Sequence, residues 1–200
     1  MSPKATATKQ DTKAALLQAG MDLMMEKGYT NTGINDVLNT LGIPKGSFYH
    51  HFDSKENYAV EIIRYFDAAA VEMLTRTLKN SNQTPLNRIR TFCEEKKAKL
   101  ASQSCSRGCL VGNLSQEMSD QSEVLRLELS RVMTNWQNIV AECIKEGQKI
   151  KEIKGDRTAH QLAELFYSGW SGAVLRAKTL KSIEPIDTFI DLMLNDVLKA

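Results

Sequence analysis

Apolar residues recur along this chain every three or four positions, with polar residues between them, over most of its length. That period is the signature of helices that bury one face. Residues 11–27 put Leu16, Ala19, Leu23 and Met24 on one side, and Gly28 follows as a C-terminal stop. The stretch "INDVLNTL" (34–41) turns Ile34, Val37, Leu38 and Leu41 inward as a short second helix. From Ser54 a long helix holds Tyr58, Ile62, Tyr65 or Phe66, and Ala69 in register. A helix over 85–103 runs into the Gly- and Ser-rich break "SQSCSRGCLVGN". The next helix, from about residue 121, spaces Leu125, Leu129, Val132, Trp136, Ile139 or Val140, and Cys143 three or four apart. After the loop "KIKEIKGD", the segments "RTAHQLAELFYSGWSGAVLRAKTLK" and "EPIDTFIDLMLNDVLKA" give two final amphipathic helices. Runs of alternating β-branched residues do not occur, so the expected fold class is all-α.

One stretch breaks this regularity. "GIPKGSFYHHFDSKE" (42–56) is a poor helix and a poor strand by propensity. Projected at the helical angle, Phe48 and Phe52 form an i,i+4 pair that buries one face. Gly46, Ser47 and His50 fall opposite, with Tyr49 on one flank and His51 on the other. Such a face is small in its middle and able to hydrogen-bond throughout, which suits close approach to a polar surface. Gly46 removes bulk there, Ser47 can donate to a phosphate, and Lys45 adds charge at the helix start. Gly42 can adopt φ > 0 to end the second helix, and Pro44 suits a first-turn position. Helix, Gly-containing turn and short second helix is the helix-turn-helix pattern. Next, "DSKE" reads as an N-cap, with Glu56 three residues beyond Asp53 and Lys55 presented for phosphate. A buried corner between helices, with Tyr and His hydrogen-bonded inside, is the other reading of the same residues.

Composition sharpens this only in part. The chain has 200 residues, 42% hydrophobic, with a net charge of +2, enough for one or two domains with a core. Residues 1–56 carry six lysines against six carboxylates, so a nucleic-acid role has to rest on local geometry and not on a basic field. The opening "MSPKATATKQ" has no apolar stretch, so neither a signal peptide nor a membrane span is expected there and the cytoplasm is the expected compartment. In that setting Cys93, Cys105, Cys109 and Cys143 read as free thiols.

The run Gly42, Lys45, Gly46, Phe48, Tyr49, His51, Phe52 and Lys55, within "GYTNTGINDVLNTLGIPKGSFYHHFDSKENY", resembles the DNA-binding domain of the TetR family of transcriptional repressors. The match covers about residues 11–60. It implies an all-helical homodimer, with a three-helix helix-turn-helix domain over 1–53 and a helical effector-binding and dimerisation domain over 54–200. By position it implies contacts to double-stranded operator DNA from Asn35, Lys45, Gly46, Ser47, Tyr49, His50 and Lys55. Tyr49 would lie against the DNA backbone, and Lys45 and His50 would read bases. Pro44 stands where the family often has Ser, which leaves the first residue of the recognition helix open.

Farther on, "RGCLVGNLSQEMSD" and "LFYSGWSGAVLRAKTLKSIEP" resemble the electrophile-sensing branch of the family, that of the N-ethylmaleimide reductase repressor. The resemblance implies a sensor thiol at Cys109 of the "GCL" motif and a partner amine at Lys178 of the "AK" pair. Cys105 and Cys109 flank Arg107 in the Gly- and Ser-rich break, where partial exposure and a guanidinium would favour thiolate. Cys109 as a small core residue and Lys178 as a solvated helix-end charge are the plainer alternatives. Cys93 and Cys143 fall on apolar faces and read as core. Trp136, Phe166, Tyr167, Trp170, Met118 and Met133 would line an effector cavity, or else fill a core. Gly169, Gly172 and Ala173 with Phe189 and Met193 would suit a dimer interface, or packing within one chain.

No metal or cofactor is expected: Cys105-x3-Cys109 lacks a second ligand pair, and His160 stands alone outside the 42–56 stretch. A thiol redox enzyme using Cys105 and Cys109 would need a general base that no motif supplies, so an enzyme is not expected. A helical adaptor that keeps the fold without binding DNA is the remaining rival.

Overall fold

Caps and glycines divide the chain much as its apolar period predicts. The computed structural model describes residues 9–200, and among these the backbone is almost entirely helical. The helices are α1 (Lys9–Lys27), α2 (Ile34–Leu41), α3 (Lys45–Tyr49), α4 (Lys55–Leu78), α5 (Pro85–Ser102), α6 (Leu110–Met118), α7 (Glu123–Lys149), α8 (Ala159–Leu180) and α9 (Glu184–Asp191). A π-helical segment, Leu192–Leu198, continues α9. The Gly28 stop and the Gly42 cap both adopt positive φ, +82° and +65°, the region glycine enters without strain.

Three local expectations are corrected. Pro44 is the N-cap of α3, extended at ψ 147°, and not a residue of its first turn. Ser54, not Asp53, caps α4: its hydroxyl accepts the Asn57 N–H at 3.0 Å. Glu56 is therefore one position too early to close a capping box, and accepts the Ser122 hydroxyl at 2.6 Å instead. The break after residue 103 contains a whole helix, α6. Its Leu110, Val111, Leu114 and Met118 are buried, a periodicity masked by the Gly, Asn, Ser and Gln residues between them.

The N-terminal helices close on an aromatic cluster. Phe48 and Phe52 lie 5.2 Å apart between ring centroids. Tyr58 sits 5.0 Å from Phe48 and 4.6 Å from Phe52. Each such buried ring contributes about 2–3 kcal/mol of transfer free energy. The Tyr58 hydroxyl donates to the Leu16 carbonyl, which burial of a phenol requires. Gly20 makes room for it, since a Cβ there would stand 2.0 Å from the hydroxyl oxygen.

Helix α4 serves both halves of the molecule. Tyr58 and Ile62, near its start, are buried on the N-terminal side; Leu74 and Leu78, near its end, pack with α5 and α7. Between them the buried Asp67 carboxylate accepts Trp136 Nε1 at 2.7 Å and Arg131 at 3.0 Å. At the far end, Lys154 N–H donates to Leu198 C=O at 2.8 Å, tying the C-terminus back onto the turn after α7.

Candidate nucleic-acid interface and ligand cavity

Helices α2 and α3 meet through the Gly42 turn, and Phe48 anchors α3 to the core while its outer side faces solvent. Asn35, Lys45, Gly46, Tyr49 and His50 are exposed, and Ser47 is half-buried. A Cβ on Gly46 would meet nothing within 4 Å, so this glycine is not demanded by packing inside the chain. Tyr49 is 52% exposed although its ring stands edge-on to Phe48 at 5.3 Å. A side chain that large, left open beside a glycine, is what a docking face looks like. These six residues lie on or beside one short helix and the start of the helix before it.

Lys55 differs from the rest. Its ammonium donates to the Thr30 carbonyl at 3.3 Å and lies 4.4 Å from the Tyr29 ring centroid. Burial holds it below the usual lysine range, opposed by the Glu117 and Asp36 carboxylates. It braces the turn between α1 and α2 as well as standing at the start of α4.

Glu117, at the end of α6, reaches the same turn. Tyr29 N–H donates to one of its carboxylate oxygens at 2.8 Å and Thr30 N–H to the other at 2.7 Å. Burial pushes this carboxyl up, but the Thr30 and Tyr29 hydrogen bonds and the Lys55 charge outweigh it, and its pKa lies below the usual glutamate range. Just before α6, Arg107 pairs with Asp22 of α1. Both ends of the 107–117 segment are thus fastened to α1 and to the turn that follows it. Nothing in the sequence pattern around Glu117 signalled this clasp, because its partners are backbone amides 87 and 88 residues away.

Behind α6 a cavity of about 870 Å³ opens between α1, α4, α5, α7 and α8. Phe66, Phe92, Trp136, Phe166, Tyr167 and Trp170 form its apolar wall. Phe92 and Trp170 lie 6.0 Å apart, and Trp136 and Tyr167 6.4 Å apart. Arg107, Cys109, Lys178 and Lys96 also face it. Of the residues expected to line it, Met118 is buried within α6 packing and Met133 packs against the core elsewhere.

The thiol expectations divide here. Cys109 is half-buried in the cavity wall and is the N-cap residue of α6. Cys105 is 3% exposed and outside the cavity, so its expected partial exposure is corrected: the chain turns inward at Ser104 and Cys105, both at positive φ, 51° and 52°. The expected role of Arg107 is corrected too, since its guanidinium is engaged by Asp22. Lys178 does reach the site; it packs over Gly108, where a Cβ would stand 3.2 Å from its Cδ, and touches Asn113 Oδ1 at 3.5 Å. Lys96 of α5 was missed. Burial holds its ammonium below the usual lysine range, with nearby Cys109 and Glu95 acting the other way. Burial also raises the Tyr167 phenol, helped by Cys109. Cys93 and Cys143 are core.

Several residues expected at a dimer interface also pack within this chain. Gly169 lets Phe189 close in, a Cβ there standing 2.6 Å from the ring. Phe189 meets Phe166 at 5.5 Å, and Ala173 and Met193 are buried. Gly169 gives Phe189 of α9 its place against α8, and Gly172 is exposed. Beside Gly172 on α8, Leu165 and Leu175 are 50% and 43% exposed, and Leu192 is 51% exposed. No group of three or more His, Cys, Asp or Glu side chains suited to a metal occurs among the described residues. No helix among them is long and apolar enough to cross a membrane.

A helix-turn-helix with an open outer face, joined through a shared helix to a cavity-bearing helical domain, defines the class of ligand-regulated DNA-binding proteins. Residues 16–62 match the family described as "Bacterial regulatory proteins, tetR family". Residues 85–193 match "Tetracyclin repressor-like, C-terminal domain". Transcriptional regulator AcuR of Cereibacter sphaeroides is 35% identical over 175 residues, 88% of this chain and 80% of that one. The HTH-type transcriptional repressor DhaR of Mycobacterium sp. (strain GP1) is 32% identical, covering 92% and 91%. The crystal structure of Escherichia coli NemR in its reduced form superposes with a TM-score of 0.86 at 29% identity, covering 95% of this chain and 98% of that one. The chain belongs to the TetR family of transcriptional regulators and is a DNA-binding regulator.

Proposed function

We propose that the protein is a homodimeric cytoplasmic repressor that leaves its operator when a small molecule or reactive electrophile occupies the cavity behind α6. The observation that carries this reading is the placement of α6. Cys109, at its first end, faces the cavity, and Glu117, near its last, clasps the turn before α2. A ligand that displaces one end of a nine-residue helix acts directly on the seating of the DNA-binding helices. The switch is a population shift: the ligand favours the arrangement in which the two α3 helices of a dimer no longer fit one duplex. Paired helices about 34–36 Å apart require a near-palindromic operator with half-sites one turn apart.

Lys45 and His50 read bases in this scheme, Gly46 and Ser47 allow close approach, and Asn35, Tyr49 and Lys55 hold the DNA backbone. The partner's helices dock on the face bearing Leu165, Gly172, Leu175 and Leu192, whose apolar exposure supports it. Cys109 is the reactive thiol, with Lys178 beside it. A maleimide would add across its double bond to the thiolate, forming one S–C bond while a proton goes to the neighbouring carbon.

Selection of bound duplexes from a random pool, with protein untreated or treated with N-ethylmaleimide, tests this. The expected result is a palindrome that disappears on treatment and persists in Cys109→Ser. A palindrome indifferent to treatment sinks the thiol switch and keeps the repressor. No enriched sequence at low salt from a folded dimer sinks the repressor.

A further inference from the structure

The cavity's charges are unevenly matched. Lys96, Lys99, Arg107 and Lys178 line it against Asp22 and Glu72. Arg107 and Asp22 satisfy each other, Glu72 and Lys99 are exposed, and Lys178 rests on Gly108 and Asn113. Lys96 is left. Among the described residues its ammonium makes neither a hydrogen bond nor an ion pair, and it hangs 5.9 Å from the Phe92 ring centroid. A cation partly taken from water without an ion pair is costly, and the depressed basicity of Lys96 reflects that cost, offset only in part by Cys109 and Glu95 nearby. Tyr167 lines the same cavity, and burial raises its phenol so that the hydroxyl keeps its proton. An anion placed at Lys96 gains its ammonium, while the aromatic wall receives the rest of the molecule.

We propose that the cavity selects a singly charged organic anion with an apolar body, its charge received by Lys96. This rests on the reading of the cavity as the effector site and names the chemistry of the effector. A volume of about 870 Å³ admits a body of one or two rings with room to spare. A neutral ligand of the same shape leaves Lys96 without a partner and gains only the wall.

Calorimetric titration of the full chain with 2-naphthoate and with 2-naphthamide, compounds of one shape and different charge, tests the proposal. The acid should bind about tenfold or more tighter than the amide, the scale of a charged hydrogen bond. That preference should vanish in Lys96→Gln and survive in Lys96→Arg. Equal binding of acid and amide to the wild-type protein overturns the anion class, as does a preference that Lys96→Gln retains; the wild-type comparison stands even if the variant fails to fold. Operator release, read in parallel, separates the two levels. If both compounds bind equally and both release operator, the effector cavity stands and its anion selectivity falls. If neither binds nor releases operator, both fall.

Discussion

Of the chain's four thiols, Cys109 alone faces the cavity. Cys93 and Cys143 are buried among apolar side chains, which pushes Cys143 up to about 12 and Cys93 well above the ordinary thiol range. Cys105 is shut in by its own turn. Iodoacetamide at neutral pH should therefore modify Cys109 of the native protein and leave the other three until it is unfolded. Peptide mass spectrometry checks this, and early labelling of Cys105 would contradict it. Glu117 gives a second residue-scale outcome. Its pKa is lower folded than unfolded, so the folded state binds fewer protons. Its stabilisation is present above the ordinary glutamate value of about 4.3 and is lost as pH falls through the lower folded value. Glu117→Gln should cost about 1 kcal/mol at neutral pH, given its partial exposure, and progressively less in acid. A denaturant series of both proteins against pH reads the difference; a gap that widens in acid would refute the clasp. The apolar placement of Cys93 and Cys143 was legible in the helical period. The burial of Cys105, the pairing of Arg107 and the clasp of Glu117 were not, because each depends on a partner far along the chain.

Helix α3 is five residues long and carries a glycine, so its own propensity cannot be why it forms. Phe48 and Phe52 hold it against Tyr58, and the outer face is free to be small. Since a Cβ at Gly46 meets nothing within 4 Å, Gly46→Ala should stabilise the protein by up to about 1 kcal/mol, raising the melting temperature by about 2–4 °C. The same change should weaken operator binding if the duplex approaches α3 over Gly46 as proposed. Fluorescence anisotropy beside a thermal melt tests the split, and unchanged affinity would remove Gly46 from the interface. Helix α6 is the contrary case. Its four apolar positions are diluted by polar and small residues, so no periodic signal marked it. It is helical because Leu110, Val111, Leu114 and Met118 find a core to enter.

For the whole molecule, the proposed dimer contact lies on α8 and the π-helical extension of α9. Leu165 and Leu175 on α8 and Leu192 beyond α9 are exposed apolar side chains, and Leu175 also lines the cavity. Leu165→Glu combined with Leu175→Glu should yield a folded monomer by light scattering, with operator affinity reduced by about two orders of magnitude as the linked second half-site is lost. A variant that remains dimeric would move the interface elsewhere.

Helix count apart from α6, the turn at Gly42, the buried pair Phe48 and Phe52 and the small outer face of α3 followed from the sequence alone. All of them are set by residues a few positions apart, where period and glycine placement act directly. Tertiary structure decided that Lys96 faces the cavity, which thiol faces it, and that Gly169 accommodates Phe189. Those outcomes depend on which distant side chains arrive at the same place. An ion pair such as Arg107 with Asp22 changes the meaning of both residues without leaving a mark on the sequence near either.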